Sequence, residues 1–334
     1  MSTKAATKEM RRRSDLALKV FFTPEVGTMI PILILSVVTG ILNPTFFTWR
    51  YISSILRDSI FIGTAALAQG LVIMSGEIDL SVGMGGCFAG IMMGVACQNW
   101  GWGLVPCILI CLATGAAVGL INGLCVTRLK LNSWITTLAT QFISTGLAIT
   151  IGDGVPLSIS SLGTSKFTRA RPLNLSWLFF LFVAMIIVLD LVIRKTKFGY
   201  RLRAVGGNRE AAEMAGINVK KIKLIVFLLA GFIAACGGMF DVLSKASAKD
   251  TYGMGREFRA IICCAIGGIT MSGGAGSMYG VGLGVLLFHV LRGCLNILNV
   301  DTNVQLVMIG AVLVMAVILD VMRKRFEDKR IIKM

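Results

Sequence analysis

Acidic residues are scarce in this chain of 334 residues, with 17 Asp and Glu against 33 Lys and Arg. Charged residues of both signs make up only 15%, while 55% are hydrophobic. So little charge over this length does not suit an ordinary soluble domain. There is one histidine, His289. That leaves no Ser–His or His–Asp constellation for an intramembrane enzyme. No Gly-x-x-x-x-Gly-Lys-Ser/Thr stretch occurs, so the chain is not expected to hydrolyse ATP itself. The nine cysteines have no metal-ligand spacing: Cys263 and Cys264 are adjacent, and Cys87, Cys97, Cys107 and Cys111 lie in apolar runs. Reduced, buried thiols are expected, and no metal site. No basic stripe interleaved with aromatics appears, so the net charge of +16 does not point to nucleic acid. No signal-peptide cleavage site precedes the first apolar run.

What the chain does have is apolar runs of bilayer length, with a mean hydropathy of +0.81. Spans are expected near Val26–Leu42, Ile55–Met74, Leu80–Cys97, Leu104–Val126, Trp134–Gly152, Leu175–Ile193, Leu224–Leu243, Phe258–Met271, Met278–Leu295 and Val304–Val321. The eighth is short, so it is tilted or broken. This predicts an all-α integral membrane protein of about ten transmembrane helices. An even number places both termini on one side. With both termini cytoplasmic, 23 Lys and Arg fall inside and ten outside, as the positive-inside rule requires. The organisation is then a basic cytoplasmic arm (1–25), one transmembrane domain (26–322) and a basic cytoplasmic tail (323–334). A cytoplasmic loop, 194–223, interrupts the domain.

That loop carries nine basic residues, opposed only by Glu210 and Glu213. A short helix is expected inside it. Asn208 is a good N-cap, Glu210 suits the positive end of the dipole, and Ala211, Ala212 and Ala215 favour helix. Gly216 supplies the left-handed closing position. So short a helix is marginal alone in water. By composition the loop is a solvated connector.

Glycines recur every four residues at Gly86, Gly90, Gly94; Gly115, Gly119, Gly123; and Gly276, Gly280, Gly284. This spacing predicts close helix packing. No strand precedes Gly276, so its likeness to a nucleotide fingerprint carries nothing. Met-Ser-Gly occurs at Met74–Gly76 and Met271–Gly273, too short a repeat to read as duplication. His289 reads as a packed histidine rather than a proton relay.

Two stretches invite a functional reading. Glu77 and Asp79 lie between spans, where charge is costly. They either cap and brace the third helix, with Asp79 as the cap, or line a substrate path. In the fifth span, Ser133, Thr137, Gln141 and Thr145 share one face, with Thr136, Thr140 and Ser144 beside it. The stripe either packs against neighbouring helices or faces a watery path, where hydroxyls and an amide suit a sugar better than an ion.

The run GGNREAAEMAGINVKKIK (Gly206–Lys223) resembles the cytoplasmic coupling loop in membrane subunits of ribose-type sugar ABC importers, the ribose/xylose/arabinose/galactose permease family. GEIDLSVG (Gly76–Gly83) and LKLNSWITTLAT (Leu129–Thr140) resemble further stretches of that family, in order along most of the chain. The resemblance implies a permease subunit in a bacterial cytoplasmic (inner) membrane, carrying a monosaccharide or similar small polyol and binding no cofactor itself. It also implies a second permease subunit, identical or paralogous. A separate cytoplasmic ATPase, usually with two fused nucleotide-binding domains, would hold ATP and Mg. An external binding protein would deliver the sugar. Asn208, Glu210, Ala212, Glu213 and Gly216 then become the ATPase-coupling element, and the fifth span lies beside the path. Arg169, Arg171, Arg256 and Arg259 would either meet acidic groups of the binding protein or stay solvated. The alternative is an ion-coupled secondary transporter working without an ATPase. It needs membrane-buried carboxylates, for which only Glu77 and Asp79 are candidates.

Overall fold

A computed structural model describes residues 24–160, 175–301, 303–308, 310, 311 and 314. The chain runs through α1 (Pro24–Leu42), a 3₁₀ turn (Pro44–Phe47), α2 (Trp49–Met74), α3 (Val82–Gln98), α4 (Leu104–Thr127) and α5 (Ser133–Ile151). Then come α6 (Trp177–Lys195), α7 (Lys197–Gly207), α8 (Arg209–Met214), α9 (Val219–Lys245), α10 (Arg256–Ile266) and α11 (Met278–Ile297). Among the described residues, α2, α4, α5, α6, α9 and α11 are long and apolar enough to cross a membrane, while α3 and the apolar part of α1 are shorter. The protein is therefore an all-α membrane protein. One small correction applies: Leu157 pairs antiparallel with Ala248, and Ser158 with Ser247, in a two-stranded ladder.

Hydrophobicity sets the spans, but caps set the helix ends. α2 begins at Trp49, ahead of the expected Ile55, because Thr48 sits at its N-cap in extended backbone. Helix thus extends past the apolar stretch to include Arg50. α9 likewise starts at Val219, where the Asn218 side chain accepts from Lys221 N. The eighth expected span, Phe258–Met271, is corrected more sharply. α10 stops at Ile266, and Gly268 just beyond it takes φ +82°. At about 1.5 Å per residue, a helix this short covers about half of a hydrocarbon core near 30 Å. The expected tenth span, Val304–Val321, lies mostly outside the described residues; 303–308 is helical.

α9 is the hub, packing on α2, α3 and α4. Two of the expected glycine ladders meet it. A Cβ on Gly119 would lie 2.2 Å from the Phe227 carbonyl oxygen, and one on Gly238 would lie 1.9 Å from that of Gly86. Side chains there would force the helices apart, so these glycines serve packing. The third ladder seats α11 on α10, with Gly284 against Cys263 and Gly280 against Gly267. All nine cysteines are free, and all but Cys125 are buried.

Candidate functional site

The polar loop between α6 and α9 folds into α7 and α8. Asn208 Oδ1 accepts from Ala211 N at 2.9 Å, capping α8. At the other end Gly216 takes φ +76°. Ile217 N then donates to Ala212 O, and Gly216 N to Glu213 O, closing the helix in a Schellman pattern. Ala212 is buried at 4%, while Met214 is 84% exposed. Arg209 and Glu213 pair at 3.2 Å on the exposed side. The short helix thus presents an apolar tip and an ion pair on a seated base.

α7 supplies that base. A Cβ on Gly206 would lie 1.9 Å from Met74 O and 2.6 Å from Gly274 N. Gly274 N also donates to Met74 O at 3.0 Å. A Cβ on Gly273 would come within 2.9 Å of Gly76 Cα. The two Met-Ser-Gly turns therefore meet in space, with α7 lying across both. Their pairing is a contact the sequence reading set aside.

The stretch Gly76–Ser81 is tied down residue by residue. Glu77 forms an ion pair with Lys223, their side chains being 17% and 11% exposed. Three lysines crowd the first turns of α9, where the helix dipole disfavours cations, and Glu77 offsets one of them. Asp79 Oδ1 accepts from Ser81 N at 2.7 Å and Ser81 Oγ at 2.6 Å. This corrects one expectation: Ser81, not Asp79, holds the N-cap position of α3. Asp79 folds back on the turn just ahead of it, as an Asx side chain does. Asn122 Nδ2 donates to Ser81 Oγ at 2.8 Å, and Thr140 Oγ1 donates to Asn122 Oδ1 at 2.6 Å. One buried polar chain thus joins the loop to α4 and α5. Asn122 was not anticipated, since it stands alone in its span and shares no polar stripe of the kind that marked Gln141.

The α5 stripe divides. Thr137 is fully buried, accepting from Leu80 N at 3.0 Å and donating to Ser133 O at 2.8 Å. Ser133 lies at 3.5 Å from Ile78 N and borders a cavity of about 270 Å³ with Glu77, Lys130, Arg209, Lys220 and Lys223. Thr136, Thr140 and Ser144 are buried too. Gln141 and Thr145 are only partly buried. Thr145 donates to Gln141 O at 2.8 Å, and Gln141 Nε2 donates to Glu257 Oε1 at 2.9 Å. Glu257, at the start of α10, is 2% exposed. Glu257 Oε2 and Gln141 Oε1 are buried without a hydrogen-bond partner.

Glu257 also corrects the inventory of acids. Besides Asp79, the buried carboxylates include Asp190, Asp241 and Glu257. Asp190 pairs with Arg194 at 2.6 Å and accepts from Met278 N at 3.0 Å, capping α11. Asp241 pairs with Lys245 at 2.7 Å and with Arg256. The pairs Asp190–Arg194 and Asp241–Lys245 stand four residues apart, a spacing the sequence displayed.

At the end of α2 remote from α7 lies a cavity of about 440 Å³. Arg256 and Arg259 both face it, with Asp58, His289 and Arg292. Arg256 pairs with Asp241, and Arg259 lines the wall, both partly exposed. His289 Nδ1 is 2.9 Å from Val285 O. Arg169 and Arg171 lie outside the described residues.

Glycine-seated helices, a capped polar block at one end and a polar cavity at the other define a multi-pass membrane transport subunit. Comparison with known proteins specifies the class. A family model described as "Branched-chain amino acid transport system / permease component" matches residues 51–317, and the chain belongs to that permease family. It is 35% identical to the ribose import permease protein RbsC of Bacillus subtilis (strain 168), over 89% of this chain and 92% of that one. It is 32% identical to the L-arabinose ABC transporter permease protein AraH of Azospirillum brasilense, over 89% and 88%. It is also 32% identical to the galactose/methyl galactoside import permease protein MglC of Escherichia coli (strain K12), over 92% and 97%. These likenesses favour an ABC importer permease over the ion-coupled alternative.

Proposed function

We propose that this chain is the permease subunit of a bacterial ABC importer for a monosaccharide or similar small polyol, in the cytoplasmic (inner) membrane. What supports the reading most is the likeness to three sugar permeases along about nine-tenths of the chain. The chain has ten spans with both termini cytoplasmic, the 23-to-ten division of basic residues being the motive. Residues 1–25 and 323–334 are its cytoplasmic arm and tail. Two permease subunits enclose the path, and an external binding protein delivers the sugar. A separate ATPase, with tandem nucleotide-binding domains, holds ATP and Mg and docks on the block carrying Asn208, Glu210, Ala212, Glu213 and Gly216.

Partial burial supports a choice among the path residues. Gln141 and Thr145 are the members of the α5 stripe partly exposed at a surface, so they meet sugar hydroxyls. Glu77, Asp79, Ser133 and Thr137 brace the loop that must move with α7. ATP binding shifts α8, and α7 carries that shift to both Met-Ser-Gly turns. Co-purification from native membranes tests this reading. The ATPase is expected with the chain, and uptake of a labelled monosaccharide is expected only with ATP. Uptake without any ATPase would return the ion-coupled reading.

A further inference from the structure

The cavity beside the first half of α2 has more positive charge than its own acids neutralise. Four cations face it: Lys245, Arg256, Arg259 and Arg292. Among the described residues Asp58 is the one acid on its wall. Asp241, behind the wall, takes both Lys245 and Arg256. Among the described residues no carboxylate forms an ion pair with Arg259 or Arg292, and both line the same cavity; Glu257 beside Arg259 and Asp58 beside Arg292 offset their charge only from a distance. His289 is buried and its Nδ1 is engaged by Val285 O. Lys245 is fixed by more than its ion pair, with Nζ 3.5 Å from the Tyr252 ring centroid and 5.2 Å from that of Phe61. Two of the four cations, Lys245 and Arg256, are thus placed by a buried acid and aromatic faces, which leaves Arg259 and Arg292 for a ligand. The cavity's volume of about 440 Å³ falls in the usual range for small-molecule pockets.

We propose that this cavity is a substrate-recognition site within a single subunit, and that it selects an anionic monosaccharide, one bearing a carboxylate or a phosphate. The proposal rests on the sugar-import reading above and narrows its substrate class. Guanidinium groups hold oxyanions through paired, charge-assisted hydrogen bonds. An oxyanion held by Arg259 and Arg292 offsets their charge. The sugar hydroxyls then find Asp58 and Asn296 on the same wall. A neutral sugar could use the hydroxyl contacts but would leave the two arginines without that offset.

The test is equilibrium binding by calorimetry to the full-length chain in detergent, without ATPase or binding protein. The probes are galacturonate and ribose 5-phosphate, with galactose and ribose as neutral counterparts. Whichever acid binds tells carboxylate from phosphate. At least one acid is expected to bind about tenfold or more tighter than its counterpart. In R259Q/R292Q the preference should fall within about threefold, and R259K/R292K should restore most of it. Equal affinity for acid and neutral sugar, or no binding of either acid, overturns the proposal, and the wild-type chain alone decides that. A preference that survives R259Q/R292Q overturns it too. So does weakened association of the binding protein in R259Q/R292Q with sugar binding unchanged, which would make the arginines a docking surface. ATP-driven uptake of a neutral sugar by the whole complex is measured alongside. If uptake persists without any acid preference, the cavity proposal falls alone. If uptake needs no ATPase, the import reading falls with it.

Discussion

At the scale of single residues, the contacts that matter are polar ones inside an apolar body. Gln141 Nε2 is the hydrogen-bond donor that Glu257 Oε1 finds. Removing it leaves a carboxylate, already 2% exposed, without that donor. Stranding a buried charged acceptor costs about 1–3 kcal/mol or more. Gln141→Leu is therefore expected to lower the melting temperature and reduce sugar uptake. Adding Glu257→Leu should recover the melting temperature but not the uptake. Recovery of both would make the pair a packing feature. Lys223→Met strands Glu77 in the same way, at a cost somewhat below the about 3–5 kcal/mol of a fully buried broken pair. The swap Glu77→Lys with Lys223→Glu should regain stability in a thermal melt; no regain would deny the ion pair its role. The sequence marked Gln141 by the polar stripe it shares with Ser133, Thr137 and Thr145, and Glu77 and Asp79 by the cost of charge between spans. It did not mark Glu257, because the stretch Arg256–Arg259 reads as a basic surface. Nor did it mark the partner of Lys223, 146 residues away, since ion pairs across the bundle leave no local spacing.

At the scale of elements, α8 was legible because caps are local chemistry. Asn208, the alanines and Gly216 carry their instructions within one turn. Its seat was not legible. The meeting of Met74–Gly76 with Met271–Gly273 depends on α7 lying across both, and three repeated residues say nothing of that. The same limit explains α10. Apolar length suggested a span, but Gly267 and Gly268 end the helix early. Two variants separate the cap from the seat. Ala212→Pro removes the N–H that donates to Asn208 O at 3.0 Å and clashes with the preceding turn, costing about 3 kcal/mol. It should reach the membrane at normal levels and lose ATPase association. Gly206→Ala places a Cβ 1.9 Å from Met74 O, so α7 must lift from the turns. It should keep the ATPase bound and still hydrolysing ATP while uptake falls. Uptake per ATP equal to wild type in Gly206→Ala would show that α7 does not transmit the movement.

At the scale of the whole molecule, composition announced a helical membrane protein, and the glycine ladders announced close packing around α9. The positive-inside count is the motive for the proposed orientation. In a cysteine-free background, a cysteine at Asn208 should react with an impermeant maleimide only after the membrane is opened. Reaction in intact cells would invert the topology. The cavity at the first half of α2 was invisible in the sequence, since its cations come from α9, α10 and α11 and its described acid from α2. The claim on which the rest depends is that this chain moves sugar only when an ATPase drives it. The direct measurement is uptake of labelled sugar into proteoliposomes holding the chain, its co-purified ATPase and its binding protein, with ion gradients collapsed by ionophores. Uptake that requires ATP and persists without ion gradients is the predicted result. Uptake that proceeds without the ATPase and stops when the gradients collapse would contradict it.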